Sequence, residues 1–141
     1  MLPGFRGHLF SEFFIEQHLA AEAPDTPQHR RTRQSLIAGG RLCASLGPTS
    51  SLRAVLEQGA EPLAAALGFT VAGRRHLGDD LVSATLSAGG PPVAILVTGW
   101  GRPLEPLWGD AVVESRRRGA SWCLLMNGTA VRLIEIGRAH V

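Results

Sequence analysis

The sequence has no lysine and no tyrosine, so arginine supplies all 14 of its strongly basic side chains. The missing lysine excludes every catalytic mechanism that needs one. Alanine, glycine and proline are abundant beside arginine, a composition typical of translation from a GC-rich genome. Because the formal net charge is only +2, the arginine content is weak evidence for a nucleic-acid partner.

Cysteines, metal-ligand motifs and long apolar runs are also scarce. Cys43 and Cys123 stand alone at no metal-ligand spacing, so we expect two buried thiols in a cytoplasmic protein. The histidines have no cysteine or carboxylate nearby at ligand spacing, and no glycine-rich nucleotide loop occurs. No apolar run approaches membrane-spanning length, and no secretory signal pattern opens the chain. The sequence therefore predicts no metal site, no membrane partner and a cytoplasmic location.

The clearest structural signal is residues 92–97, where a proline precedes five consecutive apolar residues. This pattern is typical of a short strand that is buried on both faces. An amphipathic helix is predicted over residues 104–118, followed by a second apolar run, Trp122–Met126. Strand, crossover helix and strand form a βαβ unit with parallel neighbouring strands. We therefore expect residues 92–97 to be the central strand, between Trp122–Met126 and Leu81–Ser87.

The remaining segments place helices before this unit and strands on either side of it. Helices are predicted at residues 8–19, 26–46 and 50–67, and further strands at residues 69–75, 81–87 and 130–134. Gly39-Gly40 weakens or divides the second helix. Thr49 or Ser50 caps the third helix, and Pro62 kinks or restarts it. The order predicts an α+β fold: N-terminal helices over residues 1–48, then an αβββαβ(β) core with a mixed sheet over residues 49–134.

Residues 135–141 have a different character. Glu-Ile-Gly-Arg-Ala-His-Val resembles the translation of a widespread short-read sequencing adapter. We therefore expect this segment to be an artefact, and expect residues 1–134 to be the N-terminal fragment of a longer chain.

The αβββαβ order is that of the restriction-endonuclease-like core of PD-(D/E)xK nucleases. These enzymes place an aspartate at the start of the second core strand and a (D/E)-x-K pair on the third, where the carboxylates hold a catalytic metal ion. Asp79 and Asp80 stand at the first position, although a solvated turn is the simpler explanation. The third strand offers Leu96, Val97 and Thr98, with no carboxylate and no lysine. One aspartate does not hold a catalytic Mg²⁺, so we expect no catalytic residue here.

Three segments carry a family resemblance: residues 10–14, 100–104 and 120–133, the last with the pattern W-x-x-x-x-N-G-x-x-x-R-L. Together they resemble the N-terminal region of type IIG-like single-chain restriction–modification proteins, which fuse a nuclease-like domain to an N6-adenine DNA methyltransferase. The resemblance covers most of residues 9–134. It implies a degenerate nuclease-like domain, DNA as a partner, and S-adenosylmethionine bound by a methyltransferase domain downstream of this fragment.

Other polar residues admit a binding role and a simpler one. The candidate phosphate contacts are two arginine clusters, Arg30, Arg31 and Arg33, and Arg116, Arg117 and Arg118. A solvated helix face is the simpler explanation for both, and arginines in a last turn also favour the helix dipole. For Trp122, Asn127 and Arg132 the simpler explanations are core packing, a two-residue type I′ turn at Asn127-Gly128, and a pair across the hairpin.

Two functions from different classes stay open. One is a non-catalytic, nuclease-like domain of a restriction–modification methyltransferase, which engages or scaffolds DNA. The other is a small α+β protein-interaction module with no DNA role, whose first helix docks on a partner through Phe10, Phe13 and Phe14. An active hydrolase that uses Asp80 in trans is a weaker third hypothesis.

Overall fold

The computed structural model of the chain describes Ser11, Gln17 and residues 26–136. Apart from Ser11 and Gln17, the helix predicted at residues 8–19, with its three phenylalanines, lies outside the described residues. The chain divides into two units, Met1–Arg31 and Thr32–Val141. The sheet and the helices packed on it belong to the second unit.

Helix α1 spans Pro27–Ala44 and is not divided by its glycine pair. Thr26 caps it as predicted, because its hydroxyl oxygen accepts the N–H of His29 at 3.2 Å and proline suits the first helical position. No residue of α1 is fully buried, and Leu36, Ile37 and Leu42 are exposed. Among the described helices, none has the length and apolar character needed to cross a membrane.

The next helical segment has three parts: α2 at Leu52–Val55, a π-helical stretch at Leu56–Ala60 and α3 at Glu61–Ala66. Its cap is Ser51 and not Thr49 or Ser50, since the Ser51 hydroxyl accepts the N–H of Ala54 at 3.1 Å. The Ser50 hydroxyl instead accepts the N–H of Gly47 at 2.9 Å. Pro62 lies in the first turn of α3, directly after the π-helical stretch, and has no N–H to continue the helical hydrogen bonds of the preceding turn.

Five strands form one mixed sheet in the order β1-β2-β3-β4-β5, with bounds Thr70–Gly78, Leu81–Ser87, Val93–Thr98, Trp122–Met126 and Val131–Glu135. Strand β3 pairs antiparallel with β2 and parallel with β4. The predicted central strand, its two neighbours and the α+β class with a mixed sheet are therefore confirmed.

The crossover between β3 and β4 is shorter than predicted. A 3₁₀ turn at Glu105–Leu107 precedes helix α4, which spans Trp108–Arg117. Pro106 lies within this 3₁₀ turn, in an early helical position where its missing N–H is tolerated. Helix α4 therefore begins four residues after the predicted position.

Helices cover both faces of the sheet, and each face has its own apolar core. On the α4 face, buried side chains of β3 and β4 pack against Leu104 and Ala111. On the opposite face, Ala84, Leu86, Ile95 and Val97 pack against Val55, Ala60 and Ala64. Five of the six residues of β3 are buried, as expected for a strand between two layers of helices.

The connection between β4 and β5 corrects the predicted hairpin turn. It has four residues, 127–130, and among the described residues only glycines have a positive φ, Gly128 at +83°. A type I′ turn needs positive φ at both central residues, so that prediction is wrong. Asn127 completes the turn with its side chain, whose Oδ1 accepts the N–H groups of Thr129 and Ala130 at 2.9 and 2.8 Å. Arg132 pairs with Glu105 at 2.8 Å and not across the hairpin.

Two residues of the segment 135–141 are described. Glu135 ends β5, and Ile136 is buried with its N–H bonded to the carbonyl of Ser121 at 2.8 Å. The hairpin therefore extends beyond the predicted last residue, Ile134.

Both cysteines are free thiols. Cys123 is buried as predicted, and burial raises its pKa to about 11. Cys43 is only half-buried, and burial raises its pKa too. A raised pKa keeps a thiol protonated at neutral pH, and the protonated thiol is a poor nucleophile and metal ligand.

Candidate nucleic-acid interface

Asp80 lies directly before β2, the place at which the sequence predicts the first carboxylate of a nuclease-like core. Its Oδ2 is 2.6 Å from Nε of Arg102, and its backbone carbonyl accepts the hydroxyl of Thr98 at 2.9 Å. Thr98 is the last residue of β3, the strand that carries the second acidic position in that core. The neighbouring Asp79 is exposed. Asp80 therefore contacts the guanidinium of Arg102 and the hydroxyl of Thr98, where such a core would have a second carboxylate.

The turn that presents Arg102 is held by residues from two separate segments. The side-chain amide of Asn127 donates to the carbonyl of Arg102 at 2.7 Å, and the N–H of Gly101 bonds the carbonyl of Asn127 at 3.0 Å. Gly99 makes room for the carboxylate, because a Cβ there would lie 2.5 Å from Oδ1 of Asp80. Two of the segments that carry the family resemblance thus build one structure around Asp80.

The chemistry available at Asp80 is limited by this pairing. The Arg102 guanidinium neutralises the carboxylate, and a cleft of about 290 Å³ opens beside the pair. Across residues 26–136 and the two isolated described positions, no group of three or more His, Cys, Asp or Glu side chains is placed to hold a metal ion. The Asp80–Arg102 pair carries no net charge, and the described residues offer no carboxylate cluster beside it.

The first predicted arginine cluster lies on α1. Arg30, Arg31 and Arg33 are exposed. None of the three makes an ion pair in the part of the chain that the structure describes. These three side chains can therefore contact a phosphate backbone without breaking an ion pair.

The second predicted cluster is divided by the structure. Arg116 is exposed, whereas Arg117 and Arg118 approach Glu114 at 3.7 and 3.6 Å. The side chain of Arg118 is only 11% exposed. It donates to the hydroxyl oxygens of Thr85 and Ser83, both at 2.7 Å. Arg118 therefore lies inside the protein, and a phosphate contact would require these bonds to break.

Glu114, which the sequence did not single out, is the centre of a buried polar network. Its side chain is 4% exposed, and its Oε2 accepts the hydroxyl of Ser83 at 2.8 Å. Its Oε1 lies 3.4 Å from Nη1 of Arg75, a residue of β1. Three arginines, Arg75, Arg117 and Arg118, thus share one carboxylate, which leaves two positive charges unbalanced. The spacing of Glu114 and Arg118, four residues apart on a helix, was a usable sequence signal.

A bulge in β1 decides which arginine joins this network. Ala72 pairs with Thr85 and Arg75 pairs with Ser83, so two residues of β1 oppose one residue of β2. Gly73 adopts a φ of +63° at this point, a conformation that glycine accepts without strain. The extra residue places Arg75 on the Glu114 face, while Arg74 pairs with Glu61 of α3.

The chain matches no family model, no curated protein and no solved structure. The resemblance to type IIG-like restriction–modification proteins therefore stays a prediction.

Proposed function

We propose that the chain is a non-catalytic, nuclease-like domain of a DNA restriction–modification methyltransferase, and that it engages or scaffolds DNA. The observation that supports this most is the pairing of Asp80 with Arg102 at the start of β2. In the proposal, Asp80 stands where a nuclease would have its first carboxylate, and the guanidinium of Arg102 neutralises it. In the proposal, a downstream methyltransferase domain binds S-adenosylmethionine and modifies adenine.

The 141-residue chain is expected to leave supercoiled DNA intact over hours with Mg²⁺ or Mn²⁺. The physical reason is that a lone carboxylate, already paired with arginine, does not hold a catalytic metal ion. Agarose gels of the nicked and linear forms measure this. Nicking that disappears in Asp80→Ala would overturn the prediction, and nicking that survives this change indicates a contaminating nuclease.

DNA binding through α1 is expected to be weak, sequence-tolerant and steeply dependent on salt. Each phosphate contact adds about 0.9 to the slope of log K against log salt. Replacing Arg30, Arg31 and Arg33 together with alanine should therefore flatten the slope by up to about 3 units. The fold should persist, since exposed substitutions usually change stability by about 0.5 kcal/mol or less. A salt titration with a fluorescent duplex, wild type beside the triple variant, measures both slopes.

The titration has one control and one outcome that would contradict the prediction. Thermal melts of both proteins check that the triple variant is folded. A flat salt response in both proteins would remove DNA contact by this cluster.

A protein-interaction module is the second candidate, favoured by the exposed apolar side chains of α1. Ile37 and Leu42 are 52% and 51% exposed. A groove of about 250 Å³ lies between α1, the start of α3 and residues 128–131. Exposed apolar patches often mark protein interfaces. This function predicts no measurable DNA affinity even at low salt, together with self-association of the isolated chain.

A further inference from the structure

The Glu114 network has an outer side formed by two arginines. Arg75 of β1 and Arg117 of α4 both approach Oε1 of Glu114, at 3.4 and 3.7 Å, and their side chains are 47% and 54% exposed. Charge-assisted N–H···O bonds to a carboxylate are usually about 2.7–2.9 Å long. The contacts of Arg75 and Arg117 with Glu114 are both longer than this. Each guanidinium therefore has N–H groups left to donate to a further acceptor.

The charge that this site presents to solvent is positive. The one carboxylate is buried, and its Oε2 is engaged by Ser83 and Arg118 on the inner side. The two outer guanidiniums are about half exposed. Nη1 of Arg75 and Nη1 of Arg117 both lie near Oε1 of Glu114. The distance between these two nitrogens is therefore at most about 7 Å, the sum of their distances to that oxygen. A single phosphate group can therefore accept hydrogen bonds from both.

We propose that Arg75 and Arg117, positioned by the buried Glu114, form a binding site for a backbone phosphate of duplex DNA. The proposal rests on the function proposed above and deepens it, because it names a second phosphate contact besides the arginines of α1. Arg75 is a contact that the sequence did not indicate. Arg118 has a different role: it anchors Glu114 to the sheet and does not touch DNA.

The test compares two double variants that lose the same charge. Arg75→Ala/Arg117→Ala removes the site. Arg53→Ala/Arg132→Ala removes two exposed arginines that are each paired with one carboxylate elsewhere, Glu57 and Glu105. Each phosphate contact adds about 0.9 to the salt slope, so the first variant should flatten the slope for a fluorescent duplex by about 1.8 units. The control should stay within about 0.5 units of wild type, because it removes no phosphate contact.

A third variant and a competitor sharpen the result. Arg75→Lys/Arg117→Lys keeps both charges, and lysine also binds phosphate as a point charge, so it should recover most of the slope. If the alanine variant fails to fold, Arg75→Gln/Arg117→Gln, which removes both charges and keeps polar side chains of moderate length, takes its place and should flatten the slope equally. Inorganic phosphate, added at the ionic strength of the chloride buffer, should not displace the duplex, since a free phosphate lacks the neighbouring contacts of a DNA backbone.

The outcomes separate this site from the proposed function. The site is overturned if the two double-alanine variants have equal salt slopes. It is also overturned if Arg75→Ala/Arg117→Ala has the same salt slope as wild type. If the α1 triple variant still flattens the slope in that case, the proposed function stands without this site. Absence of duplex binding by the wild-type chain at low salt overturns both proposals.

Discussion

Leu96→Ala is expected to lower the free energy of unfolding by about 2–5 kcal/mol. Leu96 has no exposed surface and lies in β3, the central strand. Its neighbours across the sheet are Ser83 in β2 and Leu125 in β4. Because strands on both sides and helix α4 hold these neighbours in place, the cavity left by the truncation cannot close fully.

Equilibrium unfolding in urea, followed by circular dichroism, measures this loss. Leu133→Ala is the matched control, since Leu133 lies in the edge strand β5 and is 42% exposed. It should cost less than about 1 kcal/mol, as is usual for substitutions at the surface. A loss at Leu96 no larger than the loss at Leu133 would contradict the central position of β3 in the core.

Glu114→Ala is expected to destabilise the protein by about 3–5 kcal/mol, the usual cost of removing one partner of a buried ion pair. The change leaves Arg118 without its carboxylate in a site where its side chain is 11% exposed. Arg118 already has a buried Nε without a hydrogen-bond partner among the described residues. The hydroxyl of Ser83 also loses its acceptor. The change is costly because a largely buried cation loses the one carboxylate that it approaches among the described residues.

Glu57→Ala is the control for this prediction. Glu57 pairs with Arg53 at 2.8 Å, but the two side chains are 49% and 83% exposed. Exposed pairs four residues apart on a helix contribute about 0.3–0.5 kcal/mol, so this change should be small. Urea unfolding of both variants decides the matter. Similar losses for Glu57→Ala and Glu114→Ala would mean that the Glu114 network does not stabilise the fold.

The strands follow from local patterns in the sequence. Strands β2 and β4 have the predicted bounds, and β3 differs by one residue at each end. Side chains alternate between the two faces of a sheet. An unbroken apolar run therefore predicts a strand buried on both faces, and an alternating run predicts a strand buried on one face. Pro92 stands outside β3, as expected for a residue without an N–H for the ladder.

The ends of helices and turns were predicted less well. Ser51 caps α2 in place of its two hydroxyl-bearing neighbours, and Asn127 closes a four-residue turn in place of a two-residue one. Several residues near each end can serve in these roles. The choice among them depends on which side chain reaches a free N–H once the elements are packed.

The sequence by itself determined the α+β class, the central strand and the position of Asp80 at the start of β2. These depend on periodicity and order, which are properties of short stretches of backbone. Only the tertiary structure decided that Asp80 pairs with Arg102, and that Arg75, 39 residues before Glu114 along the chain, joins its network. The physical reason is that contacts between elements depend on strand register. A single extra residue at Gly73 moves Arg75, and not Arg74, onto the face of the sheet that Glu114 occupies.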